Sequence, residues 1–455
     1  MPALLHPGRW WLPAIFAAAA AGVGLLAGID PRLAIGAAFG LAFVLLVLAD
    51  LYVGLLLFTV LSFAAQVPSL GPAVSVVKIT GLLLAISWLA TLVARREATS
   101  DFMSTHPGLT YLVVLFLSWA ALSQLWAEAP GDALTAFSRL ALNAVLFLII
   151  FTAVRTPTQA IGFVAAFVAG ACLDAAYGLL HAAPNAYGST RLGSSLDNPN
   201  ELASILVAAL TLSLGLTVVL KRLPLARLAA AGAAALCAAA IFLTGSRGGL
   251  VGLSVALAAF LVVGARWRGR FLVVALVVVV AGVGYYNYVA SPDVRAHVSG
   301  VGSGTGRLDL WQVGWRMVEQ NPIQGVGAGN FPVSSVHYLL QPGALAEGSY
   351  FIGTPKVAHN SYLEVWVELG LVGLTLFVFI LGFCLYSALR AIGAFARQGD
   401  VQMEMIARAL FVAIAGVMAT DFFGSRESAK ELWLLLGLAP ALLAIARTRG
   451  SPTTE

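Results

Sequence analysis

Three side chains that could support catalysis stand together where a polar segment meets a long apolar run. His359, Asn360 and Tyr362 lie within HNSYLE, and the apolar run follows at 369–385. A neutral histidine can take a proton from a hydroxyl group near neutral pH, so His359 is the candidate general base. The alternative is a loop histidine with no catalytic role.

Two arginines occupy polar stretches of a similar kind. Arg191 opens RLGSSLDNPNELAS (191–204), and Arg247 lies within TGSRGG (244–249), just before an apolar run. Free N–H groups and the helix dipole at a helix N-terminus attract an anion, and a guanidinium beside them can hold a phosphate through two hydrogen bonds. The alternative is an interfacial cation whose charged end reaches water.

Helix capping offers a purely structural explanation for several neighbouring residues. In DNPNE, Asn198 suits an N-cap, Pro199 the first helical position and Glu201 a capping box. Ser361-x-x-Glu364 has the spacing of a second capping box, which favours a structural role for Glu364. The residues predicted to support the site are Asn198, Asn200, Asn360, Tyr362, Glu364, Lys78 and Arg139.

The elements that must position these side chains are membrane helices. Of 455 residues, 60% are hydrophobic and 10% are charged, whereas soluble domains carry about 25% charged residues. Because backbone groups in lipid must bond within their own segment, the predicted fold is an all-α polytopic membrane protein of about 12–14 transmembrane helices. The apolar segments run near 10–28, 33–49, 51–67, 73–94, 107–126, 133–153, 158–180, 200–220, 225–243, 249–265, 271–290, 364–388, 405–423 and 431–447.

Arginine and lysine are unevenly distributed between the short loops. With the N-terminus inside, fifteen of the 26 Lys and Arg residues fall in inner segments and five in short outer loops. Positively charged loops stay cytoplasmic, so both termini are predicted to be cytoplasmic and the site to face the opposite side. Lys78 and Arg139 lie in the outer third of apolar segments, where ionisable residues are rare and are functional candidates.

One connection is much longer than the others. Residues 291–360 separate an N-terminal bundle (1–290) from C-terminal helices (361–455), all within one integral membrane domain. An amphipathic helix is predicted at 306–322, followed by a glycine-rich turn. The predicted apolar face of that helix consists of Leu308, Trp311, Trp315 and Val318.

The chemistry that these residues suggest is glycosyl transfer from a lipid pyrophosphate. Several arginines at the membrane surface suit a polyanionic lipid headgroup, and they can absorb the charge of a leaving pyrophosphate. A histidine beside them can deprotonate the attacking hydroxyl. The sequence contains no cluster of metal ligands, and all three cysteines lie in apolar segments, so neither a metal nor another cofactor is predicted. The net charge of +5 is not interpreted as nucleic-acid binding.

The order of motifs resembles the O-antigen ligase and O-antigen polymerase superfamily of bacterial membrane glycosyltransferases. The pieces that carry the resemblance are RLGSSLDNPNE, LTGSRGG, GRLDLW, NPIQGVGAGNF and HNSYLEVWVELGLVG, between about 190 and 375. The resemblance implies a GT-C-like helical fold, with His359 as the base and Arg191 and Arg247 as pyrophosphate ligands. Arg307, in the GR pair before the loop helix, is added to these ligands.

The resemblance also implies the substrates and the compartment. The donor would be a glycan on undecaprenyl pyrophosphate and the acceptor the lipid A-core oligosaccharide, with membrane lipids around the protein and no nucleic acid. The expected location is the Gram-negative inner membrane, with a periplasmic site. The single loop of about seventy residues and the chain length favour a ligase. A polymerase with a sugar hydroxyl as acceptor is the alternative, and a flippase or transporter of anionic lipids is a more distant one.

Overall fold

The computed structural model describes residues 11–63, 76–94, 100–181, 191–193, 198–299, 307–339 and 356–450, and these residues form helices and connections without strands. The helices are α1 (Trp11–Ile29), α2 (Pro31–Ala49), α3 (Leu51–Ser62), α4 (Val76–Ala94), α5 (Ser100–Thr105), α6 (Pro107–Leu122), α7 (Pro130–Ala153), α8 (Pro157–Leu180), α9 (Pro199–Val219), α10 (Pro224–Thr244), α11 (Arg247–Val263), α12 (Arg268–Gly284), α13 (Pro292–Ser299), α14 (Arg307–Gln320), α15 (Phe331–Leu339), α16 (Ser361–Gln398), α17 (Val401–Thr420) and α18 (Lys430–Gly450).

The predicted polytopic, all-helical fold is confirmed. Each of the fourteen predicted apolar segments corresponds to one of these helices. Within the described residues, nine helices are long and apolar enough to cross a membrane, and shorter apolar helices include Leu51–Ser62 and Arg247–Val263. The additional short helices α5, α13, α14 and α15 lie between the apolar ones.

Local sequence explains where many of the helices begin. Pro107, Pro130, Pro157, Pro199 and Pro224 each occupy the first position of a helix, where the missing N–H has no helical partner to lose. The predicted cap of α9 is confirmed, because the side chain of Asn198 accepts hydrogen bonds from two backbone N–H groups of the first turn.

Small residues allow the central helices to approach closely. α9 packs against α8, α10, α11 and α17, and most of its residues are buried. At the crossing of α11 and α17, a Cβ on Gly252 would collide with Thr420 and with the carbonyl oxygen of Gly416. Glycine is required there because the two backbones nearly touch, as in other membrane helix pairs.

α16 is two helices joined end to end at a glycine. Gly370 has φ 67° and ψ −171°, outside helical geometry, and this breaks the hydrogen bonding of the preceding turn. The glycine-rich segment supplies replacement donors. Val326 N–H donates to the carbonyl of Val367 at 2.9 Å, and Gly327 N–H to that of Glu368 at 2.8 Å. The predicted glycine-rich turn therefore completes a broken membrane helix.

Further bonds fix the same junction from both sides. Leu371 N–H donates to the carbonyl of Pro322 at 2.9 Å, and the indole N–H of Trp119 in α6 donates to that of Leu369 at 2.7 Å. The Glu368 carboxylate accepts from the N–H groups of Gly329 and Phe331 at 2.7 and 3.2 Å, at the start of α15. The loop region and the first part of α16, residues 361–369, are consequently one packed unit.

The predicted amphipathic helix is confirmed as α14, but its predicted apolar face is partly wrong. Leu308 is 69% and Trp315 50% exposed, Trp311 is half-buried and Val318 is buried. The buried face of α14 shares only one residue, Val318, with the predicted apolar face. The two faces differ because α15 and residues 361–369 cover this helix, and the bundle does not. The buried residues are Leu310, Val313, Gly314, Met317 and Val318.

Candidate active site

The ends of four helices surround one cavity of about 70 Å³. α9, α11 and α16 begin beside it, and α17 ends there. The residues that line it are Asn198, Asn200, Glu201, Ser246, Gly248, Val357, His359, Thr420, Phe423, Gly424, Ser425 and Arg426. The connections α9–α10, α11–α12 and α16–α17 lie at the opposite ends of these helices, as the alternation of the chain requires.

The backbone of His359 is held in a conformation that is uncommon for a residue with a side chain. Its φ is +50°, in the left-handed region. The His359 N–H donates to Ser425 Oγ at 3.0 Å, and the Ser425 hydroxyl donates to the Glu364 carboxylate. Trp311 Nε1–H donates to the carbonyl of Ala358 at 3.1 Å. Neither ring nitrogen of His359 bonds to another residue in the described part of the chain, so the imidazole remains available to a substrate.

The proposed capping box at Ser361 and Glu364 is wrong. Asn360 is the N-cap of α16, and its Oδ1 accepts two N–H bonds of the first turn, both at 3.1 Å. The Ser361 hydroxyl instead donates to the carbonyl of Gly424 at 2.8 Å, which ties α16 to the end of α17. Glu364 is 5% exposed and receives the hydroxyl of Ser425. Its role is therefore to support the segment that carries His359.

His359 is electrostatically poised as a neutral base. Its pKa is lowered to about 4, first by burial and then by the positive charges of Arg307 and Lys356. The imidazole is thus neutral at pH 7 and can accept a proton. Bringing a pyrophosphate beside Arg307 would offset the repulsion, so substrate binding would raise the pKa of this histidine.

The three predicted arginines repel one another electrostatically, and one of them, Arg307, also acts on this histidine. The pKa of Arg191 is lowered to about 10, chiefly by burial and then by repulsion from Arg307 and from Arg247. Burial and the charge of Arg247 also lower the pKa of Arg307. The three guanidinium groups are therefore close enough to interact electrostatically. Arg307 links them to His359. Such a concentration of positive charge favours a polyanion.

Asn200 and Ser246 position the two arginine-bearing segments relative to each other. Arg191 Nε–H donates to the carbonyl of Thr244 at 2.7 Å, and its Nη2 lies 3.5 Å from Asn200 Oδ1. The Ser246 hydroxyl donates to the same oxygen at 2.8 Å, and Ser246 caps α11, which begins at Arg247. The loop at 191–193 and the start of α11 are thereby joined by the first turn of α9.

Arg426 is a site residue that the sequence argument did not select. It is 5% exposed, its Nη1 donates to the carbonyl of Glu201 at 2.7 Å, and it lies 3.8 Å from the carboxylate of Asp421. One signal could have identified it. The tripeptide Gly424-Ser425-Arg426 repeats Gly-Ser-Arg of residues 245–247, and both copies contribute to the cavity lining.

Of the predicted site residues, Asn198, Asn200 and His359 line the cavity, whereas the others, including Arg191, Arg247 and Arg307, lie outside its lining. Tyr362 packs against Phe422 with ring centroids 4.4 Å apart and donates to the carbonyl of Met418 at 2.8 Å. Arg139 is exposed on α7, where its charge counteracts the burial that raises the pKa of Glu427. Lys78 belongs to α4, which packs against α2, α3 and α7. Within the described residues, no group of three or more His, Cys, Asp or Glu side chains could hold a metal ion.

Comparison with known families agrees with the motifs. The sequence model described as O-antigen ligase matches residues 232–378. This region includes Arg247, Arg307 and His359, whereas Arg191 precedes it. No curated protein matches the chain. The predicted resemblance to the O-antigen ligase superfamily is confirmed for residues 232–378, about a third of the chain, and the described helices are those of a multi-pass membrane protein.

Proposed function

We propose that the protein is an O-antigen ligase. It transfers O-antigen polysaccharide from undecaprenyl pyrophosphate to a hydroxyl group of the lipid A-core oligosaccharide, on the periplasmic side of the Gram-negative inner membrane. The observation that carries the proposal is a neutral His359 that lines a polar cavity and interacts with Arg307, which in turn interacts with Arg191 and Arg247.

The proposed step follows from the charges of these groups. The imidazole of His359 takes the proton of the acceptor hydroxyl as its oxygen bonds to the anomeric carbon of the donor sugar. The bond from that carbon to the pyrophosphate oxygen breaks, and the electron pair leaves with the lipid pyrophosphate. The arginines stabilise the added negative charge, which removes the need for a strong acid or for Mg²⁺ at the leaving group.

The location of the cavity suits substrates that are both anchored in lipid. It lies at the mouths of α9, α11, α16 and α17, where a headgroup at the membrane surface can enter without leaving its acyl or prenyl chain. The distribution of arginine and lysine favours the outer, periplasmic face for this end of the helices.

The proposal is tested by separating donor binding from transfer in proteoliposomes. His359→Ala should retain binding of the lipid-pyrophosphate donor while transfer falls about 10²- to 10⁴-fold, because only the base is removed. Arg191→Ala should weaken donor binding as well as turnover, and Arg191→Lys should restore it only in part because lysine lacks the planar two-point contact. His181→Ala, an exposed histidine at the end of α8, is the control. An active His359→Ala protein would refute the assignment of the base.

A second experiment distinguishes a ligase from a polymerase. Deletion of a ligase removes the entire lipopolysaccharide ladder in electrophoresis, and the lipid-linked polymer accumulates. Deletion of a polymerase leaves core oligosaccharide capped with a single repeat. A strain that keeps its ladder would contradict both assignments.

A further inference from the structure

A second cavity lies between the long loop and the α6–α7 connection. Its volume is about 290 Å³, and the described residues that line it include no arginine or lysine; Arg316, outside the lining, donates to the carbonyl of Tyr338 at 3.3 Å. The polar side chains that define it include Glu128, Asn321, Gln324 and His337, with Trp126 and Tyr338 beside them. We propose that this cleft is a glycan subsite, which binds neutral sugar residues of a substrate away from the bond that reacts.

The cleft is held in shape by bonds between elements that are distant in sequence. The Glu128 carboxylate accepts the Ser334 hydroxyl at 2.9 Å and lies 2.7 Å from His337 Nε2. Asn321 Nδ2–H donates to the hydroxyl of Tyr338 at 3.2 Å. A polar cavity that is already ordered loses little entropy when it binds a ligand.

Further hydrogen bonds outside the lining join the same two segments. Ala129 N–H donates to Asn330 Oδ1 at 2.7 Å, and Ala328 N–H donates to the hydroxyl of Ser123 at 3.0 Å. The α6–α7 connection and the loop segment 320–338 are therefore a single structure around the cavity.

The chemistry of the lining fits sugars better than anions. A phosphate would call for arginine, lysine or a helix N-terminus, and the lining has neither cation. Amide, carboxylate and imidazole groups can instead donate to and accept from sugar hydroxyls. Gln324 and His337 are both exposed and line the cleft, so their side chains are accessible to a ligand.

The position of the cleft relates it to the candidate active site. Residues 361–369 of α16 begin next to His359 and end at the bonds from Val326 and Gly327. The eight steps from residue 361 to residue 369, at a helical rise of about 1.5 Å each, separate the two ends of this segment by about 12 Å. A sugar chain whose reactive end lies at His359 would extend over this distance to the cleft within a few residues. The inference rests on the proposed function, since it assigns the cleft to a substrate of the same reaction.

Steady-state kinetics test the subsite. Gln324→Ala and His337→Gln should each raise the KM for one glycan substrate about 3- to 10-fold, the usual effect of losing a hydrogen bond, with kcat unchanged. Ile323→Ala is the matched control, since Ile323 is the adjacent residue, is 64% exposed and does not line the cleft. KM values of both variants within twofold of the control, or a fall in kcat alone, would overturn the proposal.

Truncated substrates identify which glycan is bound. If the KM effect disappears with a donor that carries one repeat, the cleft binds the O-antigen chain. If it disappears with a truncated core, the cleft binds the acceptor.

Direct binding separates this proposal from the ligase assignment. O-antigen polysaccharide and core oligosaccharide, both released from lipid, are titrated into wild-type protein, Gln324→Ala and Arg191→Ala and followed by saturation-transfer NMR. Binding lost only in Gln324→Ala supports the subsite even if wild-type protein shows no transfer. Absence of binding to the wild type, or equal binding by all three, refutes the subsite and leaves the base and the arginines to be judged by the transfer assay.

Discussion

Replacing Lys356 by glutamine should move the pH dependence of transfer without removing a proposed pyrophosphate ligand. The pKa of His359 is lowered to about 4 by burial, then by Arg307 and Lys356. Compared with an ordinary value of 6.5, this corresponds to a penalty of about 3 kcal/mol on the protonated imidazole. Loss of a neighbouring positive charge stabilises the protonated form, so the pKa of His359 should rise in Lys356→Gln but stay below 6.5, because burial remains.

The assay is the pH profile of transfer in proteoliposomes between pH 4 and 8. The acid limb of kcat/KM reports the free enzyme and that of kcat the substrate complex. In the wild type the kcat/KM limb should lie well below pH 6.5, and the kcat limb should lie higher because the bound pyrophosphate offsets the arginines. Lys356→Gln should raise the kcat/KM limb by a few tenths of a pH unit, and Arg307→Gln by more, since Arg307 is the larger electrostatic cause.

Arg295→Gln provides the charge-matched control for this series. Arg295 is an exposed cation on α13 and is not among the groups that lower the pKa of His359. The acid limb of the kcat/KM profile of Arg295→Gln should coincide with that of the wild type. Acid limbs near pH 6.5 that do not respond to Lys356→Gln or Arg307→Gln would refute the electrostatic account of the base.

Four further outcomes are expected. Ser425→Ala should reduce transfer about tenfold while donor binding is kept, because the His359 N–H loses its acceptor; equal losses of binding and transfer would contradict this support role. Gly370→Ala should destabilise the protein by about 2 kcal/mol or more, since the φ of +67° at Gly370 and the nearby carbonyl of Ile323 exclude a Cβ. Gly382 lies in the same helix with open space around it, so Gly382→Ala should leave the Tm in detergent unchanged. His106 is 2% exposed, and its pKa is lowered to about 4, chiefly by burial. As the pH falls from 6.5 towards 4, this histidine is protonated in the unfolded chain before it is protonated in the folded protein. The free energy of unfolding should therefore decrease over that interval, and it should decrease less steeply in His106→Gln. Transfer by purified protein should persist in excess chelator, and activity that returns only with added divalent cation would show that arginine charge alone does not suffice.

Sequence could predict the parts of the structure that depend on local pattern. Apolar length defined the helices, and Asn198-Pro199 marked the start of α9. Arg191, Arg247 and His359 were selected because each is unusual for its position in the chain. The break at Gly370 was not predicted, because its stability comes from N–H groups of residues 326 and 327, which are more than forty residues away.

The same limit applies to the candidate site. Ser361-x-x-Glu364 satisfies the local rule for a capping box, yet Asn360 caps the helix and Ser361 bonds to Gly424 at the end of α17. The apolar face of α14 was partly misassigned because its partners, α15 and residues 361–369, are not adjacent in sequence. Tertiary contacts decide which residue caps a helix and which face is buried, and the periodic pattern of a single sequence does not reveal these contacts.

The broken helix has a consequence for protein engineering. Residues 361–369 share one apolar core with α14 and α15, which includes Leu310, Phe331 and Val367. A chimera that exchanges the long loop between two related enzymes, but joins it at the start of α16, would separate the halves of that core. It would also leave the carbonyls of Val367 and Glu368 facing foreign donors. A crossover after Gly370 transfers the loop, His359 and its supporting turn together, so the proposed base keeps the packing that holds it.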